Sequence, residues 1–324
     1  MDLLNSRINR RAFGGVVVGA SATAGIARFA AAQDATPEVE VTEATPVSIP
    51  SLAELESAAQ VRVVANETSY AIFQSGGNVP GWYVFTVENA SEADAAFNLA
   101  RLPEDLSVSD FSSFLFQLNS GQVEALPEWL ADVTFAGGTY APVGGSSSVM
   151  VNLDAGEWVA FSDLAVSKQR ATTMRVDEAV AEEGEEMAAT PEVAEPTVVT
   201  APEGFGSSFT VSVADGAINA DSSPAAGYNV IGVRNDASMA ANFVLIHSAE
   251  AVDDAAAADL AAAFLAGEES GATLAGGMGV LGSDVFGYIE LEAEAGSYVG
   301  FSSLVNASGG SQLEDGAVVV FNVG

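Results

Sequence analysis

Apolar and polar positions alternate along several short stretches of this chain. In Gly81–Asn89, Tyr83, Phe85 and Val87 fall on one side while Trp82, Val84, Thr86 and Glu88 fall on the other, the period-two spacing of a strand. Ala96 to Leu102 predicts another strand. The period then lengthens. Phe111, Phe114, Leu115 and Leu118 recur on one helical face, Ser107 stands as the cap with Asp110 as the reciprocal group, and Gly121 stops the helix. Val149–Leu153 and Trp158–Phe161 predict two strands joined by a tight turn at Asp154-Ala155-Gly156, and Thr173–Val176 a closing strand.

The same order returns further on. Gly81, Val84, Val87 and Asn89 match Gly227, Val230, Val233 and Asn235 at an offset of 146, which continues through Ala95/Ala241, Phe97/Phe243 and Leu99/Leu245. Gly137-Gly138 matches Gly276-Gly277, and both pairs read as turns or bulges rather than phosphate loops. Gly156-Glu-Trp-Val-Ala-Phe-Ser matches Gly296-Ser-Tyr-Val-Gly-Phe-Ser at an offset of 140, so the first copy carries a longer insertion around Pro127-Glu128-Trp129. Asp253-Asp254 opens an Ala-rich helix in the second copy, with Leu260, Phe264 and Leu265 expected inward and Gly267 at its end. Ordered blocks of this kind predict an internal repeat. Six or seven short strands and one helix per copy predict an all-β fold of two tandem Greek-key β-sandwiches.

Between the copies, and before the first, the periodicity lapses. Residues 33–56 are rich in Thr, Pro and Glu, and 177–204 are acidic and proline-punctuated; both read as a spacer or a disordered linker. The copies are therefore expected at 57–176 and 205–324, each folding alone.

Residues 1–32 predict an export signal. Arg10 and Arg11 followed by Phe13 match a twin-arginine motif, Gly14 to Ala27 is weakly apolar, and Ala30-Ala31-Ala32 offers a cleavage site behind Arg28. The implied partner is the twin-arginine export machinery. The implied location is extracellular or in the cell envelope, periplasmic where an outer membrane exists, with no membrane span after cleavage.

Composition narrows the chemistry. The chain has 10 basic and 44 acidic residues, for a net charge of −34, and removing residues 1–32 leaves the rest at −37. A surface this negative excludes nucleic acid, whose phosphates need clustered Lys and Arg. The absence of cysteine excludes disulfides, thiolate nucleophiles and Cys-held metals. One histidine, His247, serves the whole chain and reads as a strand-end residue with a satisfied hydrogen bond. The carboxylates concentrate in the linkers and at helix starts, where they cap and favour the positive dipole end.

The order of Gly-aromatic-x-Val-x-x-Val-x-Asn, strand, capped helix, Gly-Gly and Ala-Gly-x-aromatic-Val resembles exported cupredoxin-like (plastocyanin-like) domains. The resemblance implies a copper-binding Cys at Ser162 and Ser302 and a His near Ala95 and Ala241. Blue copper needs a thiolate and two imidazoles, so it implies copies without that site, with Phe161 and Phe301 pointing into the core. The expected function is an exported, non-catalytic binding or structural protein with no cofactor and an extracellular binding partner; the alternative is a weak copper-handling protein of the envelope. Trp129, in the part unique to the first copy, is the expected exposed contact residue, whereas Trp82 and Trp158, matched by Tyr228 and Tyr298, read as packing. Replacing Arg10 and Arg11 together by Lys is expected to leave the protein in the cytoplasm. Fractionation checks this, and normal export of the double variant would overturn the motif.

Overall fold

The alternating stretches become strands of two large sheets. The computed structural model describes residues 49–74, 78–120, 122–123, 125–164, 171–178, 201–202, 205–306 and 310–324. The export motif at Arg10, Arg11 and Phe13, the spacer as far as residue 48 and the linker over 179–200 lie outside the described residues.

The first half contributes β1 (Ala59–Ala65), β2 (Tyr70–Gln74), β3 (Gly81–Asn89), β4 (Ala95–Arg101), α1 (Val108–Asn119), β5 (Thr134–Ala141), β6 (Ser146–Leu153), β7 (Gly156–Phe161) and β8 (Thr172–Val176). The second half contributes β9 (Phe209–Ala214), β10 (Ala217–Ala220), β11 (Gly227–Asn235), β12 (Ala241–Ser248), α2 (Asp254–Leu265), β13 (Thr273–Leu281), β14 (Phe286–Ala293), β15 (Gly296–Phe301) and β16 (Val318–Val323). Eight strands per half exceed the six or seven expected. The additions are chiefly the opening hairpins, β1–β2 and β9–β10, whose first strand lies parallel to the third.

The strands form two eight-stranded sheets, ordered β10-β9-β11-β14-β6-β3-β1-β2 and β16-β15-β12-β13-β5-β4-β7-β8. Each half supplies four neighbouring strands to each sheet, in the same order read from the outside inward. The halves meet where β6 pairs antiparallel with β14 and β5 with β13. Val149 pairs there with Ile289, and Thr139 with Met278. Both are pairs of positions matched in the sequence comparison of the two halves, so the halves face each other like the subunits of an isologous two-fold dimer.

One apolar core, drawing on both sheets and both halves, lies between them and includes Phe85, Phe97, Val149, Phe243, Met278 and Ile289. Val47–Gly324 thus holds together as one unit, in place of two separately closed sandwiches. The outer face of the second sheet is covered by the helices. Phe161 and Phe301 are buried on that face rather than between the sheets. The outer face of the first sheet is covered by a short 3-10 turn, Leu52–Glu54, and by Ala201 and Phe205. The end of the expected spacer is therefore packed: Leu52 is fully buried and its N–H reaches Glu290 at 2.6 Å.

Local chemistry explains the elements. Ser107 caps α1 by accepting from the Asp110 N–H at 3.1 Å, and its hydroxyl donates back to the Asp110 carboxylate at 2.6 Å. Asp253 caps α2 through the Ala256 N–H at 2.9 Å. The inward face of α2 is Ala257 and Ala261, with Leu260 and Phe264 at the margin and Leu265 exposed, contrary to the expected apolar stripe. The matched asparagines do one job twice. Asn89 donates to Ala93 and Ala141 carbonyls, Asn235 to Met239 and Leu281 carbonyls, each pinning the loop before the fourth strand of its half. The Gly-Gly pairs sit at β-bulges, with register shifts at Leu99/Ala100 and Leu245/Ile246. A Cβ on Gly138 or Gly277 would lie 1.9 or 2.2 Å from the carbonyl oxygen of Phe97 or Phe243, so only glycine fits.

A seam of buried backbone pairing should hold without covalent continuity. If a protease site is placed within 179–200 and cut, the fragments are expected to co-elute on gel filtration and part only in denaturant. Separate elution in native buffer would show that the halves are independent.

Candidate functional site

The resemblance directs attention to Ala95, Ser162, Ala241 and Ser302. Ala95 and Ala241 open β4 and β12, are fully buried and contribute to the core between the sheets. Ser162 and Ser302 follow the last residues of β7 and β15 and are buried as well. In the second half, Ser302 Oγ lies 3.0 Å from Asn242 Oδ1 and 2.7 Å from Gln312 Oε1, with one proton to serve the two acceptors. Gln312 is held by donating to the Ala240 carbonyl at 3.0 Å. In the first half, Ser162 Oγ accepts from the Leu164 N–H at 3.3 Å. The adjacent Tyr70 hydroxyl donates to the Ala96 carbonyl at 2.5 Å, and burial pushes its pKa up. Among the described residues no three His, Asp or Glu side chains gather as a ligand set.

A largely buried polar network, marked by no motif or composition signal, joins the two halves beside these serines. At its centre is Asp163. Its carboxylate accepts from Tyr140 Oη at 2.6 Å, Asn98 Nδ2 at 2.9 Å and Asn242 Nδ2 at 3.2 Å. Asn242 also donates to Tyr140 Oη at 2.7 Å and to Ser303 Oγ at 2.8 Å. Asn98 Oδ1 accepts the Val280 N–H at 2.8 Å, standing in for a strand partner across the seam. Burial pushes the Asp163 carboxyl above the ordinary carboxylate range; the donors from Tyr140, Asn98 and Asn242 pull against it. Among the described residues no Lys or Arg forms an ion pair with it.

Asp163 and Ser303 also line a cavity of about 220 Å³ under α1. Its other walls are apolar: Phe111 and Leu115 from α1, Leu130 from the insertion, Phe135 and Val280 from the sheet, and Leu304 from the second half. The insertion that distinguishes the first copy therefore builds one wall of a pocket that both halves share. Its tryptophan, expected to be exposed, is partly covered. Trp129 is half-buried and meets Phe114 and Phe111 edge-on, at centroid distances of 5.0 and 6.4 Å.

His247 sits at the end of β12, 4.7 Å from the Tyr298 ring, with Nε2 3.2 Å from the Ala295 carbonyl oxygen. Its match in the first half does the same: Arg101 lies 5.5 Å over Trp158 and donates to the Ala155 carbonyl at 3.2 Å. Position and partners alike describe a clamp on the tight turn.

No protein-family model matches the chain, and comparison with curated proteins finds no match. Among solved structures it is similar to reduced auracyanin of the photosynthetic bacterium Roseiflexus castenholzii, at 20% identity over 37% of this chain and 99% of that one, TM-score 0.25. Auracyanin B is similar at 18% identity over 36% of this chain and 88% of that one, TM-score 0.24. A multicopper oxidase of Pediococcus acidilactici is similar at 11% identity over 83% of this chain and 59% of that one, TM-score 0.22. At these scores the all-β sandwich assignment rests on the strand order, not on the neighbours.

Half-burial against two rings makes Trp129 a packing residue. Trp129→Ala is expected to cost about 2 kcal/mol, below the ~3–5 kcal/mol of a fully buried tryptophan, and so to lower Tm by about 4–8 °C for a body of this size. Calorimetry checks this; an unchanged Tm would return Trp129 to the surface.

Proposed function

We propose that the chain is an exported, non-catalytic binding protein built from two cupredoxin-like halves in which hydrogen bonds occupy the place of type 1 copper. The carrying observation is Ser302, at the position the resemblance gives to the copper-binding Cys, with its hydroxyl between Asn242 Oδ1 and Gln312 Oε1. A serine hydroxyl and two amides are a hard, neutral set, poor for Cu(I), and the chain has no thiolate to offer. The order that carries the resemblance (strand, capped helix, bulged Gly-Gly strand, tight hairpin) is the order in each half, which favours a duplicated domain. His247, the residue a nucleophile triad would need, is engaged with a turn carbonyl and a tyrosine ring.

The reading includes export by the twin-arginine machinery through Arg10 and Arg11, and a place outside the cytoplasm. No helix among the described residues is long and apolar enough to cross a membrane. An acidic surface repels anionic headgroups and nucleic acid alike.

Cu(II) added to the mature protein is expected to give no intense thiolate charge-transfer band, and calorimetry with Cu(I) and Cu(II) no stoichiometric binding. One equivalent of either ion bound tightly would favour the copper-handling alternative and overturn this reading.

A further inference from the structure

We propose that the cavity beneath α1 binds a small amine: an apolar body of single-ring or short-alkyl size whose ammonium pairs with Asp163. The inference deepens the reading of the chain as a binding protein but does not depend on its likeness to cupredoxins. Three observations carry it.

The first is the shape and lining. At roughly 30 Å³ per liquid water, 220 Å³ holds about seven waters or a ligand of similar bulk. The walls are aromatic and aliphatic, and among the lining residues only Asp163 and Ser303 carry a polar side chain. A concave, mostly apolar pocket with one or two convergent polar groups is the usual form of a small-molecule site.

The second is that the cavity lies beneath α1, and the two helices pack differently on the sheet. In the corresponding place under α2 the helix presents Ala257 and Ala261, fully buried, and closes down on the sheet. Under α1 the bulkier Phe111 and Phe114, propped by Trp129, face the sheet instead. The polar group is confined to one half: the position of Asp163 is Ser303 in the second copy, and the β13 residue matched to Tyr140 is Gly279. Packing required by the fold would recur in both halves; this carboxylate does not.

The third is charge. The donors that reach Asp163 among the described residues, Tyr140, Asn98, Asn242 and its own backbone N–H, are all neutral, so nothing among them balances the charge of the carboxylate. An ammonium donates a charge-assisted bond and neutralises the half-buried anion, whereas a ligand carboxylate would meet like charge in a mostly apolar site. The −37 net charge beyond residue 32 adds a long-range field that concentrates cations.

The test uses the full mature chain and three probes of one size: benzylamine, toluene and benzoate. Calorimetry or amide chemical shifts should give benzylamine a Kd in about the 10 µM–1 mM range expected for so few atoms, with toluene and benzoate at least ten-fold weaker. Asp163→Asn should weaken benzylamine about ten-fold or more and leave toluene unchanged. Ala240→Leu, which adds bulk to the pocket wall from the second half, should abolish binding of benzylamine while the fold persists by circular dichroism. Equal affinity for benzoate or toluene would overturn the ammonium–carboxylate pairing. Unaltered benzylamine binding in Ala240→Leu would overturn the site. Failure of all three probes to bind would overturn the proposal but leave the copper-free reading standing, because the copper titration reads that separately.

Discussion

The antiparallel pairing of β6 with β14 and of β5 with β13 is the constraint on which the rest of the molecule depends. It turns two four-plus-four strand sets into two continuous eight-stranded sheets. Each of these central strands has neighbours on both sides, so parting the halves would strand backbone donors and acceptors in a buried setting, at about 1–3 kcal/mol for each group left unpaired. Matched residues pair with each other across the seam. Complementarity therefore has to be satisfied once and is met twice, the economy by which symmetric dimers form. The edge strands β2, β10, β8 and β16 are pushed to the outside, and the vulnerable centre becomes the best-protected part of the fold.

Symmetry at the seam makes the departures from it informative. The bulges at Gly137 and Gly276, the asparagine pins at Asn89 and Asn235, and the clamps of Arg101 on Trp158 and His247 on Tyr298 come in pairs. Each is explained by what one half needs in order to fold. Asp163, Tyr140, Asn98 and the aromatic helix α1 have no counterparts of the same kind. They converge on one corner, where the insertion around Trp129 supplies the missing wall. Difference between the halves thus marks a corner that likeness between them cannot.

Much of the fold was legible in the sequence because its signals are local. The alternation at Tyr83, Phe85 and Val87, the Ser107 cap and the repeated Gly-Gly pairs each act within a few residues, and each sits where the pattern puts it. What was not legible is what depends on distance along the chain. No period in Val149 or Thr139 says that it pairs with its own match more than a hundred residues away. Phe161 and Phe301 turned to the helix-covered face because the sheet has two buried sides, and alternation cannot rank one apolar side above another. Trp129 looked exposed because its segment is polar, yet its partners Phe111 and Phe114 lie one helix earlier. Asp163 was passed over among 44 acidic residues, since nothing in composition separates a solvated carboxylate from a buried one.

The half-burial of Asp163 carries a last consequence for the seam. Taken alone, a carboxylate in that place is costly, and an apolar side chain of similar volume would hold the halves together at least as well. The network gains exclusivity in return. Its donors come from three different strands, Asn98 on β4, Tyr140 on β5 and Asn242 on β12, two from one half and one from the other. Asn98 in turn takes its orientation from the Val280 N–H on β13. A slip of β13 against β5 by two residues would keep the same side chains facing inward and cost little in apolar contact, as strand periodicity allows. It would, however, carry Asn242 and Val280 away from the carboxylate and from the side chain that positions it. The carboxylate therefore penalises the registers that hydrophobic packing would tolerate, and the corner that fixes how the halves meet is the same corner whose carboxylate lines the cavity.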